Sequence, residues 1–286
     1  MGILYIVATP IGNLSDITKR AVEVLASVDI ILCEDTRTSS HLLTSLDIKT
    51  KLMSYHKFNE NDRTNEIITL LKSGKNIALI TDAGTPCISD PGSILVSAAI
   101  LNNIEIYSIP GASAVITALT LSGLNISNFA FYGFLERKTS HQLTKLEEIQ
   151  QNDVEVVVFY ESPKRIVDTL KNIELVMNNP YIVVLNDLTK KFEKKYYGQT
   201  NLVIEELLNN KNYELGEYVI VVSKNKKQEI KKDEEISLEA LLIDKVRKEN
   251  CTMKEAVKLL SLEYKHKYSK NEIYNASLNI KKLLGN

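Results

Sequence analysis

Residues 79–92, Leu-Ile-Thr-Asp-Ala-Gly-Thr-Pro-Cys-Ile-Ser-Asp-Pro-Gly, decide how the chain folds. The stretch closes an apolar run that begins at Ile77, and it breaks at Asp82-Ala83-Gly84. Asp90-Pro91-Gly92 then predicts a helix start, because Asp accepts a backbone N–H and Pro is preset for the first turn. Helix capping by itself accounts for Asp90. Between strand and helix lie Gly84, Thr85, Pro86, Ser89 and two acids, a loop longer and more polar than the turn requires. In an open α/β sheet, ligands bind at the carboxyl ends of the strands, where this loop sits. The stretch therefore predicts a binding site.

Upstream, residues 3–8 form a continuous apolar run, as a buried parallel strand requires. The run ends in Thr9-Pro10-Ile11-Gly12-Asn13. A helix is expected from about Ser15, with Ile17, Ala21, Val24, Leu25 and Val28 on one face. A second strand, residues 29–33, leads into Glu34-Asp35-Thr36-Arg37. This strand-helix-strand unit is similar to the start of a dinucleotide fold, but 9–13 holds one glycine where that fingerprint needs three. A Walker A pattern is also absent from the sequence. A further strand leads to Tyr55-His56, where a lone His reads either as a hydrogen-bonding loop residue or as a catalytic one. The helix over 61–73 turns Ile67, Ile68, Leu70 and Leu71 inward. Downstream of 79–92, a helix over 91–102 and a strand over 104–109 reach Pro110-Gly111-Ala112-Ser113-Ala114, which opens another helix. Amides at that helix start, with the Ser113 hydroxyl, suit an anion. A helix cap would explain Ser113 equally well.

A second domain is expected from residue 126. It holds Phe134-Leu135-Glu136-Arg137-Lys138, a helix over 140–151, a strand over 154–160 and Glu161-Ser162-Pro163-Lys164-Arg165. Ser162 as cap and Pro163 at the first helical position account for much of that last segment. A strand over 181–185 runs into Asn186-Asp187-Leu188-Thr189-Lys190. Residues 190–197, Lys-Lys-Phe-Glu-Lys-Lys-Tyr-Tyr, interleave bases and aromatics. That pattern suits phosphate pairing and base stacking, and it equally suits an edge strand guarded by lysines. Residues 216–222, after a helix over 201–208, form the last strand. A charged linker over 225–236 and three amphipathic helices, 237–249, 252–263 and 269–284, follow.

The 286 residues suffice for two domains, and 44% hydrophobic with 25% charged content is ordinary for a globular chain. No apolar run approaches the roughly 20 residues of a membrane span. The first residues lack a basic leader and read as a strand, not a signal peptide. Cys33, Cys87 and Cys251 are isolated, which suits a reducing cytoplasm, and His41, His56, His141 and His266 are scattered, so no metal site is expected. Net charge is −1, yet residues 225–286 carry 14 Lys and Arg against 10 Asp and Glu, a local basic surplus.

The motifs 79–92, Ala8-Thr9-Pro10-Ile11-Gly12-Asn13-Leu14, Cys33-Glu34-Asp35-Thr36-Arg37, 110–114, 161–165 and Gly216-Glu217 occur in the order found in the tetrapyrrole methylase family. The chain resembles its 16S ribosomal RNA cytidine 2′-O-methyltransferases. The sequence departs from their pattern at Lys57 and Phe58, at Glu136 in place of Pro, and at Asn186-Asp187 in place of Arg-Glu. The resemblance implies an α/β fold of two lobes, 1–125 and 126–224, with S-adenosylmethionine (SAM) in the cleft between them, plus a small all-α C-terminal domain over 237–286. It implies that Pro10, Gly12, Asp82, Gly84, Thr85, Ile88, Ser113 and Ala114 serve SAM, which has no phosphates and needs no glycine-rich cradle. Glu161, Asp187 and His56 are the catalytic candidates. Arg137, Lys138, Lys190, Lys191, Lys194 and Lys195 are the RNA-binding candidates. The implied partner is 16S rRNA, within the small ribosomal subunit, for a cytoplasmic homodimer that uses no metal. The competing readings are a precorrin-type methylase, a metal-dependent phosphoryl-transfer enzyme built on Glu34, Asp35, Asp82 and Asp90, and a non-catalytic RNA-binding protein.

Overall fold

Apolar runs bounded by loops become two five-stranded sheets. The first half contains β1 (Ile3–Val7), α1 (Lys19–Ser27), β2 (Ile30–Cys33), α2 (Thr36–Ser45), β3 (Lys51–Ser54), α3 (Glu60–Lys72), β4 (Ile77–Leu79), α4 (Ser93–Leu101), β5 (Glu105–Ile109) and α5 (Ala114–Leu121). Its strands lie in the order β3-β2-β4-β1-β5, all parallel. Every β-to-α loop therefore leaves the same edge of the sheet. At that edge the loops after β1 and β4 are joined. The Thr9 N–H donates to Gly84 O (2.8 Å), and the Gly84 N–H donates back to Thr9 O (3.1 Å). The Thr9 hydroxyl, on a residue only 1% exposed, donates to Thr81 O (3.0 Å).

The second half contains β6 (Phe129–Phe134), α6 (Thr139–Gln151), β7 (Val156–Glu161), α7 (Ile166–Met177), β8 (Tyr181–Asn186), β9 (Lys194–Gln199), α8 (Thr200–Leu208) and β10 (Tyr218–Ser223). The order is β6-β7-β10-β8-β9, with only β6 and β7 parallel. The strict alternation of a strand splits β7 between two cores. Val157 and Phe159 pack with Leu146, Ile166 and Leu170 of the helices behind the sheet. Val156 and Val158 pack with Val115, Ala118 and Leu119 of α5, so the last helix of the first lobe covers the inner face of the second sheet.

The computed structural model describes residues 1–224, 237–249, 251–264 and 268–283. The chain divides into two compact units, Met1–Lys227 and Gln228–Asn286. In the second unit α9 (Leu238–Glu249), α10 (Met253–Glu263) and α11 (Lys270–Leu283) gather Leu242, Ala256, Leu260, Ile273, Ala276 and Ile280 into a core of their own. A capping box between Thr252 and Glu255 starts α10. The charged linker expected over 225–236 lies outside the described residues. Among the described residues, no helix is long and apolar enough to cross a membrane.

Three helix starts differ from the sequence reading. The helix expected from Ser15 begins at Lys19, because two caps in succession divide the segment. Asn13 caps a short 3-10 turn at Leu14–Asp16, and Thr18 caps α1 by accepting from the Ala21 N–H (3.1 Å). Helix α4 starts after Gly92, whose φ of +138° turns the chain, and no side chain caps it. Asp90 is therefore not its cap. Helix α7 starts at Ile166, so Ser162 and Pro163 sit in the turn before it.

Gly84 has φ +84°, a left-handed conformation that costs an L-residue about 1–2 kcal/mol. Gly84→Ala should lower the stability of the Met1–Lys227 unit by that amount, and Thr9→Val should cost about 1 kcal/mol for its hydrogen bond. Urea unfolding followed by circular dichroism measures both, and wild-type midpoints would contradict the assigned role of the bridge.

Candidate active site

Against the joined loops lies a cavity of about 470 Å³ between the two sheets. That volume is in the ordinary range for a small-molecule site. Its first wall is Ile11, Glu34, residues 81–85 and 88–90, Ser113 and Ala114. Its second wall is Phe134, residues 160–163, Leu188 and residues 217–219. Of the residues expected to serve SAM, Asp82, Gly84, Thr85, Ile88, Ser113 and Ala114 line the cavity together. Pro10 is buried outside the lining. Gly12 also lies outside it, packed so closely under the second lobe that a Cβ there would come within 2.9 Å of Leu188 O. The Thr85 hydroxyl donates to Ala112 O (3.1 Å), which ties the loop after β4 to the loop after β5. Ser113 stands at the N-cap of α5 without a side-chain cap bond, so its hydroxyl is not spent on the helix.

Three carboxylates share the first wall. Burial raises the carboxyl of Glu34, and the charge of Asp82 adds to the shift. Burial likewise raises Asp82, which accepts from the Asp35 N–H (3.3 Å). Asp90 is pushed up furthest, to about 6, by burial and then by the charges of Glu34 and Asp82, against a hydrogen bond from Thr81. Opposite them, the Tyr160 hydroxyl is pushed up to about 12 by burial and by Asp90. Among the described residues, no group of three or more His, Cys, Asp or Glu side chains is arranged to hold a metal ion.

Each catalytic candidate has a different setting. Glu161 lines the cavity but is 2% exposed, and its oxygens are occupied. Oε1 accepts from the Ser162 N–H (2.7 Å) and hydroxyl (3.3 Å); Oε2 accepts from the Thr169 hydroxyl (2.7 Å) and pairs with Arg165 (3.2 Å). Arg165 also donates to Leu135 O and Glu136 O, so this carboxylate anchors the loop after β6. Asp187 is outside the lining, at φ +53°, and pairs with Lys190 (2.7 Å). His56 is also outside it, with Nε2 3.3 Å from Asn59 Nδ2 and a buried Nδ1 that has no partner.

The basic candidates are unequal too. Arg137 and Lys138 are exposed on the loop that follows Phe134, the last residue of β6. Lys190 is held between Asp187 (2.7 Å) and Glu217 (2.8 Å), and Lys195 pairs with Glu193 (2.8 Å). Lys191 lies over the Phe192 ring (5.5 Å), and Lys194 is exposed on β9, an edge strand of the second sheet. Tyr196 is core, accepting from Asn210 (3.0 Å), so the aromatics left at the surface of this stretch are Phe192 and Tyr197. Among the lining residues that the sequence did not assign to SAM are the carboxylates Glu34 and Asp90, placed there only in the competing phosphoryl-transfer reading, and Tyr160 and Phe134. The acids after β2 gave a signal for Glu34; the capping pattern concealed Asp90.

A parallel sheet joined to a mainly antiparallel one, with a cavity at the carboxyl edge between them, defines a class of methyltransferase fold. Uroporphyrin-III-C-methyltransferase from Thermus thermophilus shares it with a TM-score of 0.55 at 18% identity, over 78% of this chain and 95% of that one. Diphthine synthase shares it with a TM-score of 0.58 at 14% identity, over 78% and 90%. The model of the tetrapyrrole (corrin/porphyrin) methylases matches residues 3–202, and the chain belongs to this family. Within it, the chain is 41% identical to ribosomal RNA small subunit methyltransferase I of Haemophilus influenzae, over 97% of this chain and 96% of that protein. It is 40% identical to the Bacillus subtilis protein of the same name, over 96% and 94%.

The buried Glu161–Arg165 pair generates a stability prediction. Glu161→Ala should destabilise the Met1–Lys227 unit by roughly 3 kcal/mol, as loss of one partner of a buried pair does. Thermal and urea unfolding measure this, and a change below about 1 kcal/mol would show that the pair is not needed to hold the loop.

Proposed function

We propose that the protein transfers a methyl group from SAM to the ribose 2′-oxygen of a cytidine in 16S rRNA within the small ribosomal subunit. The near-full-length kinship with small-subunit rRNA methyltransferases carries this reading, and the cavity supplies a site that fits the donor. Glu34, Asp82 and Asp90 give an anionic wall suited to a sulfonium and an ammonium group. The α5 amino end at Ser113 and Ala114 suits a carboxylate. Ile11, Ile88, Leu188 and Val219 provide apolar surface, and Gly84 lets the backbone approach a ligand closely. When bound, SAM supplies a methyl group already activated by its sulfonium.

The chain's own work is then to align the hydroxyl and to take its proton. Asp90 fits the second task best: it lines the cavity, does not cap α4, and is in no ion pair among the described residues. Glu161 acts as a positioning residue, through Arg165 and the loop after β6. Arg137 and Lys138, with Lys191 and Lys194, offer cations for phosphates. The homodimer would bury Ile94, Ile100, Leu101, Tyr107 and Ile116, large apolar side chains exposed on α4, β5 and α5.

Labelled SAM, purified small subunits and nucleoside digestion test the reaction. Label in 2′-O-methylcytidine is expected; label in a base, or none, would refute it. A base must be deprotonated to act, so single-turnover methylation should rise with pH through about 6 and level off above it. Asp90→Asn should remove that limb and slow the reaction on the order of 100-fold. An unchanged profile in the variant would assign the proton to another group.

A further inference from the structure

We infer that Phe134 is the platform on which the base of the target nucleotide stacks, an inference that rests on the function proposed above. Phe134 is a large aromatic side chain, 58% exposed, at the rim of the cavity. Its position is produced by a defect in the strand. β6 pairs with β7 through Phe131↔Val158 and Phe134↔Tyr160, three residues advanced on one strand against two on the other. The extra residue makes a bulge, with Gly133 at φ +63°.

Alternation along the strand shows what the bulge does. Ala130 and Tyr132 pack into the core behind the second sheet, while Phe131 faces the opposite side with Val158 and Tyr160. An unbroken strand would send residue 134 to the same side as Tyr132, away from the cavity. The added residue instead puts Phe134 beside Tyr160, with ring centroids 5.6 Å apart, next to the Phe131–Tyr160 pair at 4.8 Å. Gly133 also lies against the first lobe, where a Cβ would come 3.0 Å from Ser89 Oγ on the cavity loop. The bulge thus seats Phe134 over the cavity wall, not in a core.

A second hollow of about 450 Å³ also has Phe134 in its wall, with Tyr132, Glu136, His141, Lys145 and Glu148 among the other lining residues. Because Phe134 borders both spaces, a base stacked on it has the cavity and this hollow within reach of its ribose and its pairing edge. Carboxylates such as Glu136 and Glu148 are suited to accept from the exocyclic amine of cytosine. Arg137 and Lys138, three and four residues on, are placed on the loop after β6 for the flanking phosphates. Single-stranded RNA is read in this manner, by an aromatic face with polar groups at the base edge.

The test uses the full-length protein and small ribosomal subunits. Phe134→Ala should lower kcat/KM for subunits about 10- to 100-fold, the range for loss of one stacked base, while SAM affinity stays within twofold. Phe134→Tyr should stay within threefold of wild type, whereas Phe134→Leu, apolar without a π-face, should fall with the Ala variant. The chain contains no tryptophan, so Phe134→Trp gives a reporter at this position alone. Its emission should be quenched by subunits and not by SAM. Quenching by SAM alone, weakened SAM binding in Phe134→Ala, or full activity in Phe134→Leu would overturn the stacking role. If wild-type protein methylates no subunit RNA, the proposed function fails as well. Wild-type activity with an active Phe134→Ala defeats the platform only.

Discussion

Two backbone hydrogen bonds between Thr9 and Gly84 fix the geometry on which the site depends. In a parallel sheet, consecutive loops at the carboxyl edge are independent unless something links them. Here the loop after β1 and the loop after β4 are closed on each other by reciprocal N–H to carbonyl bonds, with the buried Thr9 hydroxyl adding a third contact to Thr81. Thr85 extends the link to the loop after β5 through Ala112. The cavity floor is therefore set largely by main chain, which leaves side chains such as Ser113 and Asp90 to face the space above it. A site built in this way needs no glycine-rich phosphate cradle.

The second lobe closes the cavity by close approach at two glycines. Gly12 of the first lobe lies under Leu188, and Gly133 of the second lies against Ser89. With α5 packed on the inner face of the second sheet, these contacts make the cleft a property of one folded unit. The two walls differ in character. The first carries Glu34, Asp82, Asp90 and a helix amino end, complementary to a cationic, zwitterionic cofactor, whereas Glu161 and Glu217 of the second are paired with Arg165 and Lys190. The second carries the aromatics Phe134 and Tyr160, with exposed Arg137 and Lys138 close by in sequence, complementary to a nucleotide.

Local rules revealed much of this before any coordinates. Unbroken apolar runs marked the parallel strands, and an overlong polar loop marked the cavity wall. The pattern of departures is physical. Asp90 satisfied the local signature of a helix cap, and only the φ of Gly92 shows that the helix starts too late to use it. Glu161 stood as a catalytic candidate, and the sequence does not show that Thr169, eight positions later, occupies one of its oxygens. Lys190 read as an RNA contact because its partner Glu217 lies 27 residues away. Phe134 was passed over because a bulge exists only relative to a paired strand, and β7 begins 22 residues downstream. Contacts within a few residues are written in the sequence, while those made by tertiary pairing are not.

The central claim is that the joined loops of the first lobe form the main seat of the cofactor, with Leu188 and Val219 closing over it, while the rim of the second lobe at Phe134 holds the nucleotide. Hydrogen exchange of the full chain, with and without SAM, tests it most directly. The account predicts slowed exchange of amides in 82–90 and 113–116, and no change across α6. Protection centred on 188–197, with 82–90 unaffected, would contradict it.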